Sequence, residues 1–194
     1  MNRSRYAALG LFAAVAGCAN GVTTSTVDRA IMPQTAGGTP VLSPEGAIGY
    51  AAYTLGNRSS TVGQPGNSAL ALAAVDYLAG DFYTNFRFTA IPAQDKIRML
   101  QGRGELRQAL AIAPTATSQQ VVNGLVAASV AYHANDPAGV AAALPSTVFT
   151  LGPDGTTRVL SNLPPLVSAN AASQGAEGFV NSGCNSGPNG SNCS

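Results

Sequence analysis

The chain has 194 residues, with ten basic and nine acidic side chains, a single His, three Cys and no Trp. That length allows one domain with tails. The near-neutral balance excludes a nucleic-acid binder, whose affinity comes from neutralised phosphates. One His and three Cys exclude a zinc finger or a His-rich metal site, so no metal and no other cofactor is expected. Charged residues are 10% of the chain, against about 25% in an average soluble domain.

The chain opens as a three-part secretory signal. Arg3 and Arg5 make it positive, Tyr6 to Val15 are apolar and uncharged, and Ala16, Gly17 and Cys18 close it. The apolar run is shorter than the roughly 20 residues of a spanning helix. Val15-Ala16-Gly17-Cys18 resembles the lipobox of bacterial lipoproteins, and the resemblance covers this signal alone. It implies a diacylglyceryl group on the Cys18 sulfur, cleavage after residue 17, and acylation of the new amine. Two or three acyl chains, such as palmitate, hold a protein durably, whereas one is marginal. Ala19, where an Asp would favour retention in the inner membrane, implies export to the outer membrane, facing the periplasm. Removing residues 1–17 takes away Arg3 and Arg5, leaving eight basic and nine acidic residues and a net charge of −1.

Residues 18–43 are rich in Thr, Gly, Pro and Ser without helical period, and read as a flexible lipid-anchored tether. A flexible segment of that length has an end-to-end distance of about 25–30 Å. Residues 44–144 carry the helical signals. Ser43-Pro44-Glu45 reads as an N-cap, a first-turn Pro and an acid at the positive helix end. The first helix runs to Leu55, and a polar loop follows to Gly66. Asn67 or Ser68 caps a second helix reaching about Phe88, with Ala71, Val75, Leu78, Phe82 and Phe86 at three- and four-residue steps. Residues 93–113 form a third, the most charged part of the chain. Thr117 to Gln120 matches a capping box and opens a fourth, striped by Val122, Leu125, Val126, Ser129 and Tyr132. Asp136 and Pro137 start a short fifth helix to Leu144.

Residues 145–167 carry two short β-like runs, Thr147 to Leu151 and Thr156 to Leu160. They read as either an irregular extended segment over the helices or a small packed hairpin. Residues 168–194 are rich in Gly, Ser, Asn and Ala and read as a disordered tail, too poor in apolar surface to offset ordering. The fold class is therefore mostly α: a small antiparallel helical bundle with a flexible N-terminal tether and an irregular to disordered C-terminal tail. Tyr50, Tyr53, Tyr77, Phe82, Phe86 and Tyr132, all on predicted helices, are expected to share its core.

Chemistry is thinly signalled. In an oxidising envelope, Cys184 and Cys193 bracket a ten-residue loop suited to a disulfide, worth about 2.7 kcal/mol by loop entropy. The alternative is two free or intermolecularly bridged thiols. His133 with Asp136 is a weak candidate for a general base and its orienting group; a cationic residue at a helix end is the alternative. Asp76 and Asp81 stand about 140° apart on a helix, so they read as solvated rather than as a paired carboxylate site. Arg98, Arg103 and Arg107, interleaved with Asp95 and Glu105, read as a solvated face; the alternative is contact with lipid phosphates or an acidic glycan. The sequence lacks the nucleophile-elbow, zincin and phosphate-loop motifs. These readings favour a non-enzymatic binding or assembly factor of the bacterial envelope. Its partners are the membrane, through the N-terminal lipid, and envelope proteins, with no nucleic acid. The alternatives are a periplasmic hydrolase using His133 with a nearby Asp, or a small-molecule or lipid carrier with a cavity among the aromatics.

Overall fold

A computed structural model describes residues 28–182, so Cys18, Cys184 and Cys193 lie outside the described residues. The described part is mostly α, as the sequence predicts. Seven helices follow one another: α1 Pro44–Gly56, α2 Pro65–Thr84, α3 Ala93–Ala109, α4 Ser118–His133, α5 Pro137–Ala143, α6 Gly152–Ser161 and α7 Val167–Asn181. β-Pairing among the described residues is confined to two isolated bridges, Gln34 with Pro40 and Ile112 with Phe149.

The helix starts follow local chemistry. Ser43 Oγ accepts from Gly46 N, and Thr117 and Gln120 complete the capping box of α4. Asp136 Oδ1 accepts from Gly139 N and so caps α5. Each cap satisfies a backbone donor that the helix itself leaves unpaired. α2 starts earlier than expected, at Pro65, and stops at Thr84. Phe86 then lies on a short 3-10 turn, where Asn85 accepts from Arg87 N.

Every residue of α2 from Ala71 to Phe82 is buried, as befits a helix enclosed on all sides. It packs against α1, α3, α4 and α6, while α7 packs against α1 and α3. The packing is antiparallel. The Arg87–Glu45 pair sets the end of α2 beside the start of α1. Gly66, at the start of α2, faces His133 at the end of α4. Gly102 of α3 meets Ala169 of α7, and Gly175 of α7 meets Asp95 of α3. One pole of the bundle therefore gathers the starts of α1, α3 and α4 with the ends of α2 and α7. The opposite pole gathers the end of α4, α5 and α6.

Three sequence expectations are corrected here. Within residues 18–43, the described part packs on the bundle. Ala30 and Met32 are buried, and the Ile31 backbone pairs with the Gln119 side chain through both N and O. Gly80 makes room for this strap, since a Cβ there would stand 2.8 Å from Asp28 O and 3.0 Å from Arg29 Cα. Within residues 145–167, the Gly152-Pro153-Asp154-Gly155 run opens helix α6 instead of a β-turn. Gly152 takes the positive φ of 66° that turns the chain, Pro153 fits the first turn, and Thr156 and Leu160 face the core one turn apart.

The third correction concerns residues 168–194, where the described part is helix α7. Its inner face is Ala169, Ala172, Ser173 and Ala176, all fully buried. Small side chains let α7 lie close to α3, and Glu105 accepts from the Ser168 and Ala169 N–H groups at its start. The negative carboxylate also suits the positive end of the helix.

The aromatic expectation holds in part. Tyr77 and Phe82 are buried, and Tyr50 and Tyr132 are half-buried, but Tyr53 and Phe86 are exposed. Phe88 and Phe149, with Leu72, Leu78 and Met99, fill the core instead. Phe82 and Phe88 meet edge to face at 5.2 Å, a favoured aromatic geometry. No helix among the described residues is long and apolar enough to cross a membrane.

Candidate functional site

Two polar constellations stand out, one inside the bundle and one at its surface. The inner one begins with Asp76, whose side chain is fully buried rather than solvated. Arg107 Nε donates to Asp76 Oδ2 at 3.1 Å, and Arg103 Nε lies 3.5 Å from Oδ1, an ion-pair distance. Arg103 also donates to the carbonyls of Asp28 and Asp76. Asp28 completes the set: its carboxylate accepts from Ser118 N at 2.7 Å and lies 3.6 Å from Arg107. Burial lowers the Arg103 pKa, and the Asp76 charge opposes that shift. Arg98, by contrast, is exposed, with its guanidinium on Asp95. The predicted solvated face is thus corrected at Arg103 and Arg107. Asp81 is also buried, accepting from Tyr77 and Asn85. Asp76 and Asp28, with Arg103 and Arg107, tie the strap, α2, α3 and the start of α4 together, so this constellation is structural.

The surface constellation is a cleft of about 370 Å³ at the far pole, between α4, α5 and α6. Ala131, Pro137, Val140, Ala141 and Pro153 supply apolar walls, and Asn135, Asp136 and Asp154 supply polar groups. Asn135 turns the chain there with φ of 52°. Tyr132 and Thr157 share a 2.6 Å hydrogen bond in the wall. Thr157 donates its proton to Pro153 O at 2.7 Å, so the Tyr132 hydroxyl must be the donor to Thr157. Burial raises the Tyr132 pKa, against the lowering effect of that bond, and keeps the phenol protonated. With its proton committed to a carbonyl, Thr157 has no base to activate it as a nucleophile.

His133 and Asp136 both sit near this cleft, but each is engaged elsewhere. His133 Nδ1 contacts Ser129 O at 2.7 Å, in its own helix, and its ring lies against Gly66. Asp136 lines the cleft, yet its Oδ1 caps α5. Proximity in sequence suggested the pair, and the intervening helix end separates their tasks. Tyr132, Asp154 and Thr157 were not singled out as site residues, because only the folding of α6 against α4 brings them together. Among the described residues, no three His, Cys, Asp or Glu side chains are grouped to hold a metal ion. Comparison of this chain with family models, curated proteins and solved structures gave no match in any of the three.

Proposed function

We propose that the chain is a lipoprotein of the bacterial envelope, lipid-anchored through Cys18 and facing the periplasm from the outer membrane. In that setting it acts as a non-enzymatic binding or assembly factor. The anchor reading rests on the signal and lipobox residues. The binding reading is supported by one observation: the Tyr132 hydroxyl is spent on Thr157, the Thr157 proton on Pro153 O, and Asp136 Oδ1 on the start of α5. An apolar floor with two carboxylates, Asp136 and Asp154, suits a basic, partly apolar segment of an envelope protein.

The first test is intact mass and membrane fractionation of the native protein beside Cys18→Ser. Acyl mass and membrane residence in the wild type alone support the anchor; a soluble, unacylated wild type overturns it. His133→Ala then separates binding from hydrolysis. Cellular function should survive that substitution, and its loss in a folded variant would favour the hydrolase. A second reading, a small-ligand carrier, draws on the cleft volume, which falls within the roughly 300–1,000 Å³ of ligand sites. The core aromatics lend it nothing, since Phe82 and Phe88 pack against each other. Saturable binding of small organic cations, abolished by Asp154→Lys, would favour the carrier.

A further inference from the structure

The pole opposite the cleft has its own surface character. Tyr83, Phe86, Ile97 and Ile31 are exposed there, Phe86 to 70%. Tyr83 and Phe86 stand at the end of α2, Ile97 in the first turns of α3, and Ile31 on the strap against the start of α4. Lys96 Nζ donates to Thr89 O at 3.3 Å, in the turn that carries Phe86. Arg29 lies 3.7 Å from Asp81, whose carboxylate also holds Asn85. Arg29, Arg87, Lys96 and Arg98 belong to the same pole, and each ion-paired acid lies deeper than its partner. Arg29, Arg87 and Arg98 side chains are 53%, 57% and 44% exposed, against 1%, 33% and 12% for Asp81, Glu45 and Asp95. In each of these pairs the outer group is the cation, whereas two acids, Asp136 and Asp154, line the cleft at the other pole.

The chain also enters the described structure at this pole, because Asp28 lies against Gly80 and Ser118. Ten residue steps separate Cys18 from Asp28, a span of at most about 35 Å even fully extended. The 20 residues of α2 make the bundle about 30 Å long. Setting the far pole on the membrane would therefore draw the whole connection taut along the flank. Setting the near pole there requires none of that extension. We infer that this pole is a docking face for an anionic phospholipid surface, on which Phe86, Tyr83 and Ile97 enter the headgroup layer. Arg29, Arg87, Lys96 and Arg98 meet the lipid phosphates. Aromatic groups favour the membrane–water interface, and basic residues near an anionic surface are drawn to it. Docked this way, the bundle holds its cleft about 30 Å from the lipid, open to the periplasm.

The inference rests on the lipoprotein reading of Cys18, and the test separates the two. The chain has no Trp, so Phe86→Trp and Val130→Trp each install a sole tryptophan, excited selectively beyond the tyrosine absorption. Val130 is 61% exposed on the last turns of α4, at the far pole. Each variant, purified from membranes and weighed intact, is placed on vesicles of phosphatidylethanolamine and phosphatidylglycerol containing brominated lipid. The Phe86→Trp emission should shift to the blue and lose about half its intensity, as befits insertion of roughly 5–10 Å, while the Val130→Trp emission stays unchanged. Arg87→Gln with Arg98→Gln, which leave the buried Asp81 pair intact, should weaken the Phe86→Trp quenching with circular dichroism unchanged. Acylated protein with equal, unquenched emission at both sites overturns the docking face and leaves the anchor standing. Unacylated protein overturns the anchor. In that case Phe86→Trp quenching on the same vesicles still supports the face, and its absence overturns it.

Discussion

Two glycines of α3, two positions apart, should respond to Ala with opposite sign. At Gly102 a Cβ would stand 2.6 Å from Ala169 Cα and 2.8 Å from Ala169 N, both backbone atoms of α7. Carbon atoms in ordinary contact are about 3.5–4.0 Å apart, so α7 must retreat by roughly 1 Å. Overpacking of that kind costs about 1–3 kcal/mol. At Gly104 a Cβ would meet nothing within 4 Å. Both positions gain the helix propensity of Ala over Gly, about 0.8–1 kcal/mol. Gly104→Ala should therefore stabilise by nearly that amount. Gly102→Ala should lose its gain and fall up to about 2 kcal/mol below wild type. In the difference between the variants the propensity gain and most of the unfolded-state change cancel, leaving the clash itself at about 1–3 kcal/mol. Urea titration followed by circular dichroism reads the difference as a shift of midpoint at constant slope. Thermal melts should separate the pair by about 2–4 °C per kcal/mol. Equal midpoints would refute the close seating of α7 on α3.

The buried charges and the tyrosines give further tests. Asp76→Asn keeps the shape but leaves Arg103 without its counter-charge, and should cost about 3–5 kcal/mol. Adding Arg103→Met should cost less than the sum of the single changes, and strict additivity in the urea midpoints would refute the pairing. Burial first, then the Asp81 carboxylate, push the Tyr77 pKa well above its ordinary value. The folded state then keeps a proton that the unfolded chain releases above about pH 10. Its contribution is intact below that pH and falls as pH rises toward the raised folded value. Tyr77→Phe should flatten the loss of stability above about pH 10. An unchanged slope in that variant would show that other groups carry it.

Helix starts were legible where one residue does the work. Ser43, Thr117 with Gln120, and Asp136 with Pro137 act within four residues of themselves, so the sequence displays them directly. Helices α6 and α7 were not legible for the opposite reason. The inner face of α7 is mostly alanine, which looks too weakly apolar to order a chain until Gly102 lets another helix approach it closely. Gly152 and Pro153 signal a turn equally well before a strand or a helix, and the buried face of Thr156 and Leu160 decides between them. The Asp76 network hid in distance, since its partners lie 27 and 31 positions along the chain. The cleft hid likewise, because Tyr132 and Thr157 meet only once α6 has packed.

The antiparallel seating of α7 on α1 and α3 has a practical consequence for anyone who modifies this molecule. Glu177 lies by Gly49 and Gln174 by Gly56, so α7 runs back toward the start of α1. Asp28 and Ser182 consequently leave the helical body on the same side. A label placed at Ser182 would therefore report on the same pole as one placed at Asp28. The exposed turn at Gly63, already at positive φ and outside the cleft lining, is where an inserted epitope would project from the other side.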